Sequence, residues 1–165
     1  MTYRNFEPTD LAYKQRETED GEPAIRNFGE KPGVLVVDED HLTRLLLQLG
    51  LERNGFDVWI APNAFEALHL YREHADHIAV VLLNFRMPGL DAFASLDVLR
   101  ELNPDVRICF MADDSEVREP QSLIQRGASH VITKPFLLEE LVGILRPLAR
   151  GLPVGPLPTD RKSVV

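Results

Sequence analysis

The sequence predicts a three-layer α/β domain: a doubly wound parallel sheet of five strands with helices on both faces. Three observations lead there. Short apolar runs alternate five times with longer segments of helical period, the signature of strand and helix units. The first, third and fourth runs are apolar almost throughout, as in strands covered on both faces. Acidic, amide and basic residues follow the runs, and ligand sites of open parallel sheets lie beyond the carboxyl ends of the strands.

In chain order, the strands are expected at residues 34–37, 57–61, 78–83, 106–111 and 130–133, and the helices at 40–54, 64–74, 93–102, 120–126 and 138–146. Asp40 supplies a cap for the first helix. Asn54-Gly55, Asn103-Pro104 and Gly127 supply stops, and Pro120 suits a first helical turn. Residues 1–32 mix charges with scattered Pro and Gly and read as a flexible extension, with a short amphipathic helix at 11–16 as an alternative. Residues 150–165, with Pro153, Pro156 and Pro158 closely spaced, read as a Pro-rich tail.

Eighteen basic residues against 26 acidic leave a net charge of -8, which disfavours nucleic acid and anionic membranes as direct partners. Cys109 is the only cysteine, so no intrachain disulfide forms and a reducing, cytoplasmic setting is expected. No apolar run reaches the roughly 18 residues a membrane span needs. His74 and His77 have no third ligand nearby in sequence, and a metal site there is not expected.

The chemistry concentrates after the strands: Asp38-Glu39-Asp40, Asn84-Phe85-Arg86-Met87-Pro88-Gly89, Ala112-Asp113-Asp114 and Lys134-Pro135-Phe136. The run Val-Leu-Val-Val-Asp-Glu-Asp at 34–40, the Met-Pro-Gly at 87–89, the Gly-Ala at 127–128 and the Lys-Pro-Phe at 134–136 resemble landmarks of the bacterial response-regulator receiver domain, in order and at the right separations over residues 33–149. The resemblance implies a flavodoxin-like sheet of order 2-1-3-4-5 and a pocket of Asp38, Glu39, Asn84, Ala112 and Lys134. It also implies weakly bound Mg²⁺, with Glu39 and the carbonyl of Arg86 as ligands and Asp38 acting through water. Lys134 would steady phosphoryl oxygens, or pair with Asp38 when no phosphate is present, and the Lys134-Pro135 bond would be cis. A histidine kinase or a phosphotransfer protein would be the partner.

Three positions depart from the family. Asn84 stands where the phosphorylated aspartate belongs, and a neutral amide is no nucleophile toward phosphorus. Ala112 replaces the hydroxyl residue that grasps the phosphoryl group, and Val131 replaces the aromatic that swings inward in response. All three losses fall on one relay, so the expectation is a stand-alone signalling module, not an enzyme, that acts by protein contacts without phosphorylation at Asn84. Two alternatives keep phosphate chemistry: acceptance by Asp40 or Asp113, and a haloacid-dehalogenase-type phosphatase with Asp38 as nucleophile and Asp40 as general acid. The second needs further metal-binding acids beyond Lys134, where only Glu139 and Glu140 stand.

The first helix carries leucines on two sides. At 100° per residue Leu42, Leu45, Leu46 and Leu49 share one face, expected to pack on the sheet. Leu47 and Leu51 lie opposite and are expected to be the exposed docking point for a partner or a second copy.

Overall fold

Each apolar run becomes a strand and each periodic segment a helix in the computed structural model, which describes residues 31–152 and 154, apart from 90, 118 and 119. The expectations for residues 1–30, the helix at 11–16 and most of the Pro-rich tail lie outside the described residues. The order is β1 Gly33–Val37, α1 His41–Arg53, β2 Asp57–Ala61, α2 Ala64–His74, β3 Ile78–Asn84, α3 Ala92–Leu102, β4 Ile108–Asp113, α4 Pro120–Gln125, β5 His130–Lys134 and α5 Leu138–Ala149. All strand pairs are parallel and the sheet order is β2-β1-β3-β4-β5. Boundaries shift by one to three residues; β4 starts at Ile108 because Val106 closes a turn on the Asn103 carbonyl. Helix α5 runs through Pro147 to Ala149, beyond the expected end at Arg146, since a proline in the last turn forfeits only its own amide bond.

Strands alternate their side chains between two apolar layers. One layer joins Leu35, Val37, Val81, Leu83, Ile108 and Phe110 to Leu96, Leu99 and Leu123, from α3 and α4. The other joins Val34, Val36, Val80, Leu82, Cys109 and Met111 to α1 and α5. Burial pushes the Cys109 thiol up to about 12, which keeps it protonated and unreactive.

Local signals fix the helix ends. Asp40, Asn63 and Asp91 each accept from a backbone N–H three residues on. At the other end α1 closes with Gly55 N–H donating to the Glu52 carbonyl and Phe56 N–H to that of Leu51. The same pair of bonds ends α4 at Gly127 and Ala128, and α5 at Gly151 and Leu152. These three glycines have φ of 85°, 106° and 79°, the left-handed region this cap requires.

Helix α1 is rotated half a turn from the expected orientation. Leu47 and Leu51 are buried, at 7% and 0% exposure, while Leu42, Leu45, Leu46 and Leu49 are 62%, 37%, 60% and 54% exposed. Leu47 and Leu51 therefore cannot be the docking point. Two contacts set the rotation. The Arg44 guanidinium reaches back to the carbonyls of Asp38 (2.7 Å) and Glu39 (3.0 Å), turning that side toward the strand end. Gly50 lies so close to Leu138 of α5 that an added Cβ would fall 2.8 Å from it, so its side must face the neighbouring helix. Leu47 and Leu51 follow that side inward, and Phe56 packs in the same cluster.

Candidate functional site

Three polar side chains meet where strands β1, β3 and β5 end. Asp38 follows β1 directly, Asn84 is the last residue of β3, and Lys134 is the last of β5. Asp38 and Asn84 are buried, at 2% and 7% exposure, and Lys134 is half-buried. Burial of this kind is costly unless each group finds a partner.

Asn84 finds two. Its Oδ1 accepts from Lys134 Nζ at 2.8 Å, and its Nδ2 donates to the Arg86 carbonyl at 2.9 Å. Only this orientation of the amide works, because the flipped form would set NH₂ against an ammonium and oxygen against a carbonyl. Asp38 Oδ1 accepts from the backbone N–H of Asp40 at 2.9 Å. Its Oδ2 is buried without a hydrogen bond among the described residues and lies 3.9 Å from Lys134 Nζ. One carboxylate and one ammonium thus face each other across a neutral amide. The Lys134-Pro135 bond is cis.

The loops around the pocket are tied by residues that the sequence reading missed. Arg44 holds the β1–α1 loop through the two carbonyls named above. Glu116 bridges the loops after β3 and β4: its Oε1 lies 3.1 Å from Arg86 Nε, and its Oε2 accepts from the Asp113 N–H at 3.0 Å. Below the β3 loop, Phe85 meets Phe93 and Phe110 edge to face. Nothing local in the sequence marks Arg44 or Glu116, since both act through loops.

The other expected residues divide. Ala112 and Val131 are buried near the ends of β4 and β5. Glu39 and Asp113 are exposed. Asp40 is exposed and caps α1, and its bonds from the Thr43 hydroxyl and N–H lower its pKa. His74 stacks on Trp59 with ring centroids 5.1 Å apart.

The profile of the response regulator receiver domain matches residues 34–146. The chain belongs to that family. Among curated relatives it is similar to the transcriptional regulatory protein PrrA of Mycobacterium tuberculosis, 33% identical over 140 residues that span 78% of this chain and 59% of that protein. It is also similar to the response regulator MprA of Mycolicibacterium vanbaalenii, 35% identical over 117 residues, 71% of this chain and 50% of that one. The chain thus spans little more than half the length of these relatives. Among solved structures, the Francisella response regulator 1452 receiver domain superposes with a TM-score of 0.67 at 26% identity, covering 73% of this chain and 98% of that one. The non-phosphorylated HemR receiver domain of Leptospira biflexa does so at 0.64 and 28%, covering 72% and 94%. The chain is a receiver domain of two-component signalling, with the flavodoxin-like order 2-1-3-4-5.

Receiver domains are signalling modules that commonly bind Mg²⁺ at the phosphorylation site. The residues present here fit that ion poorly. The Arg86 carbonyl accepts from an N–H of Asn84, which carries partial positive charge where a cation would sit. Among the described residues no three His, Cys, Asp or Glu side chains stand close enough to hold a metal. No helix of the described residues is long and apolar enough to cross a membrane.

Proposed function

We propose that this receiver domain acts through protein contacts and is not switched by phosphoryl transfer to Asn84, the position that corresponds to the family's phosphorylated aspartate. The observation that carries the reading is the pair of bonds made by the Asn84 amide, 2.8 Å from Lys134 and 2.9 Å from the Arg86 carbonyl. An acyl phosphate at this position needs an ionised carboxylate oxygen as nucleophile, and an amide offers none. Its NH₂ instead takes up the carbonyl that the resemblance assigns to Mg²⁺, so the β3 loop is held without a cation. Its oxygen takes up the lysine that would steady a phosphoryl group.

The parts that would report a phosphate are also lacking. Ala112 has no hydroxyl to reach for one, and Val131 has no ring to swing. Both are buried in the core, where Val131 has little room to change rotamer. The Arg86–Glu116–Asp113 bridge joins the loops that such a signal would move. The partner class follows from the family: a histidine kinase or phosphotransfer protein in a cytoplasmic setting. The two curated relatives named above are called a transcriptional regulatory protein and a response regulator, and their greater length leaves room for an output that this stretch does not itself supply.

Incubation with acetyl phosphate and Mg²⁺ followed by intact-mass analysis tests the proposal. No phosphoryl adduct is expected, and an adduct mapped to position 84 would overturn the reading. An adduct on Asp40 or Asp113 would move the chain to a relay through another carboxylate. Steady release of inorganic phosphate from a phosphate ester would assign it to the phosphatase alternative, although Asp40 Oδ2 is engaged by Thr43 in capping α1.

A further inference from the structure

Leu42, Leu46 and Leu49 lie along one line of α1, with Leu45 beside them, and all four are exposed. Leu138, seated on Gly50 one turn after Leu46, and its neighbour Leu137 extend the apolar patch onto the start of α5. The patch has charged ends of opposite sign: Glu39 precedes the helix, and Arg53 continues the leucine line into the last turn, both exposed. A contiguous apolar patch of several hundred Å² with a polar rim marks an interaction site more often than an idle surface.

We propose that this face joins two copies of the chain, with α1 packed antiparallel on α1 of the second copy about a twofold axis at Leu45 and Leu46. The stripe is complementary to itself in that direction. Reversal brings Leu42 onto Leu49 of the second copy, Leu45 onto Leu46, and Arg53 beside Glu39 at both ends. A parallel pairing would set Arg53 against Arg53 and Glu39 against Glu39, which like-charge repulsion disfavours. A twofold contact requires this self-complementarity, since the same patch serves both partners. The leucines supply the apolar centre of such a contact but less than the roughly 800 Å² per partner of a standard interface, so the dimer is weak and reversible, with Kd on the order of 10–100 µM.

Sedimentation equilibrium of the full chain is expected to detect a monomer–dimer equilibrium in that range. Leu46→Lys sets two ammonium groups at the axis and is expected to weaken the dimer roughly tenfold or more. Arg53→Glu alone weakens it, and adding Glu39→Arg to the same chain restores it; this swap reads the contact even if Leu46→Lys perturbs folding. Crosslinking fixes the direction. Leu46→Cys is expected to form a disulfide with its own copy under mild oxidation. Leu42→Cys is not, because antiparallel helices separate the two copies of position 42 by about 10 Å along the axis, beyond the roughly 7 Å reach of a disulfide. Cys109 is fully buried and does not interfere. A chain that stays monomeric to 1 mM, a dimer indifferent to Leu46→Lys and the charge swap, or self-crosslinking at position 42 would overturn the proposal. So would a monomer whose stripe binds a helical phosphotransfer protein, since that partner would then be the occupant.

Discussion

The outer face of α1 and the pocket at the strand ends are opposites. On α1 four leucines face solvent, while in the pocket an aspartate and an asparagine are buried. Each inverts the usual placement of its residue type, and the reason differs. The α1 leucines are exposed because the sheet can cover only one side of the helix, and Arg44 and Gly50 choose that side. Asp38 and Asn84 are buried because they stand where inner strands of the sheet end, and each finds a hydrogen-bonding partner there. Position in the fold decides burial, and the side chain then either finds partners or presents a surface.

The largest expected effect separates the two sides of α1. Leu51→Ala removes a fully buried side chain from the cluster with Phe56 and should cost about 3 kcal/mol in urea unfolding. Leu46→Ala, in dilute solution, should change stability by less than about 0.5 kcal/mol. Equal losses at the two positions would break the contrast. A smaller effect concerns a buried polar group away from the pocket. His130 shares a sheet face with Ile132, in the layer under α1 and α5, its Nε2 has no hydrogen bond among the described residues, and burial lowers its pKa from the ordinary 6.5. The folded chain therefore keeps His130 neutral below the pH at which the unfolded chain takes up a proton. Stability from this residue is complete above pH 6.5 and falls as the solution is acidified toward the folded-state value. Thermal melts from pH 7 to pH 5 should fall less steeply for His130→Leu than for the parent. Parallel curves would show that His130 contributes nothing to the acid sensitivity.

The strands and the gathering of Asp38, Asn84 and Lys134 at one end of the sheet were legible in the residues, while the strand order came from the resemblance to the family. Continuous apolar runs such as Val34–Val37 have few other readings, and a parallel sheet delivers the residues that follow its strands to one end. The face of α1 was not legible from leucine count. With leucines on both sides the period marks two stripes, and the more populated one turned outward. Gly50 was the available signal, since a glycine inside a helix marks a close neighbour, here Leu138. Arg44 and Glu116 escaped notice because their bonds run to loop backbone and to other loops. No spacing records those contacts.

In the proposed reading the Asn84 amide fills, within the protein, the roles that a cation and a carboxylate divide elsewhere in the family. The most direct test compares thermal melts of the parent and of Asn84→Asp, each with and without 10 mM Mg²⁺. Without the ion the variant places a carboxylate oxygen against the Arg86 carbonyl and leaves Lys134 as one ammonium shared by two carboxylates, and it should melt below the parent; Mg²⁺ should restore it by neutralising the added charge. The parent should melt at the same temperature with and without Mg²⁺. Equal stabilisation of both proteins by Mg²⁺ would contradict the account, because it would mean that the amide leaves the cation site intact.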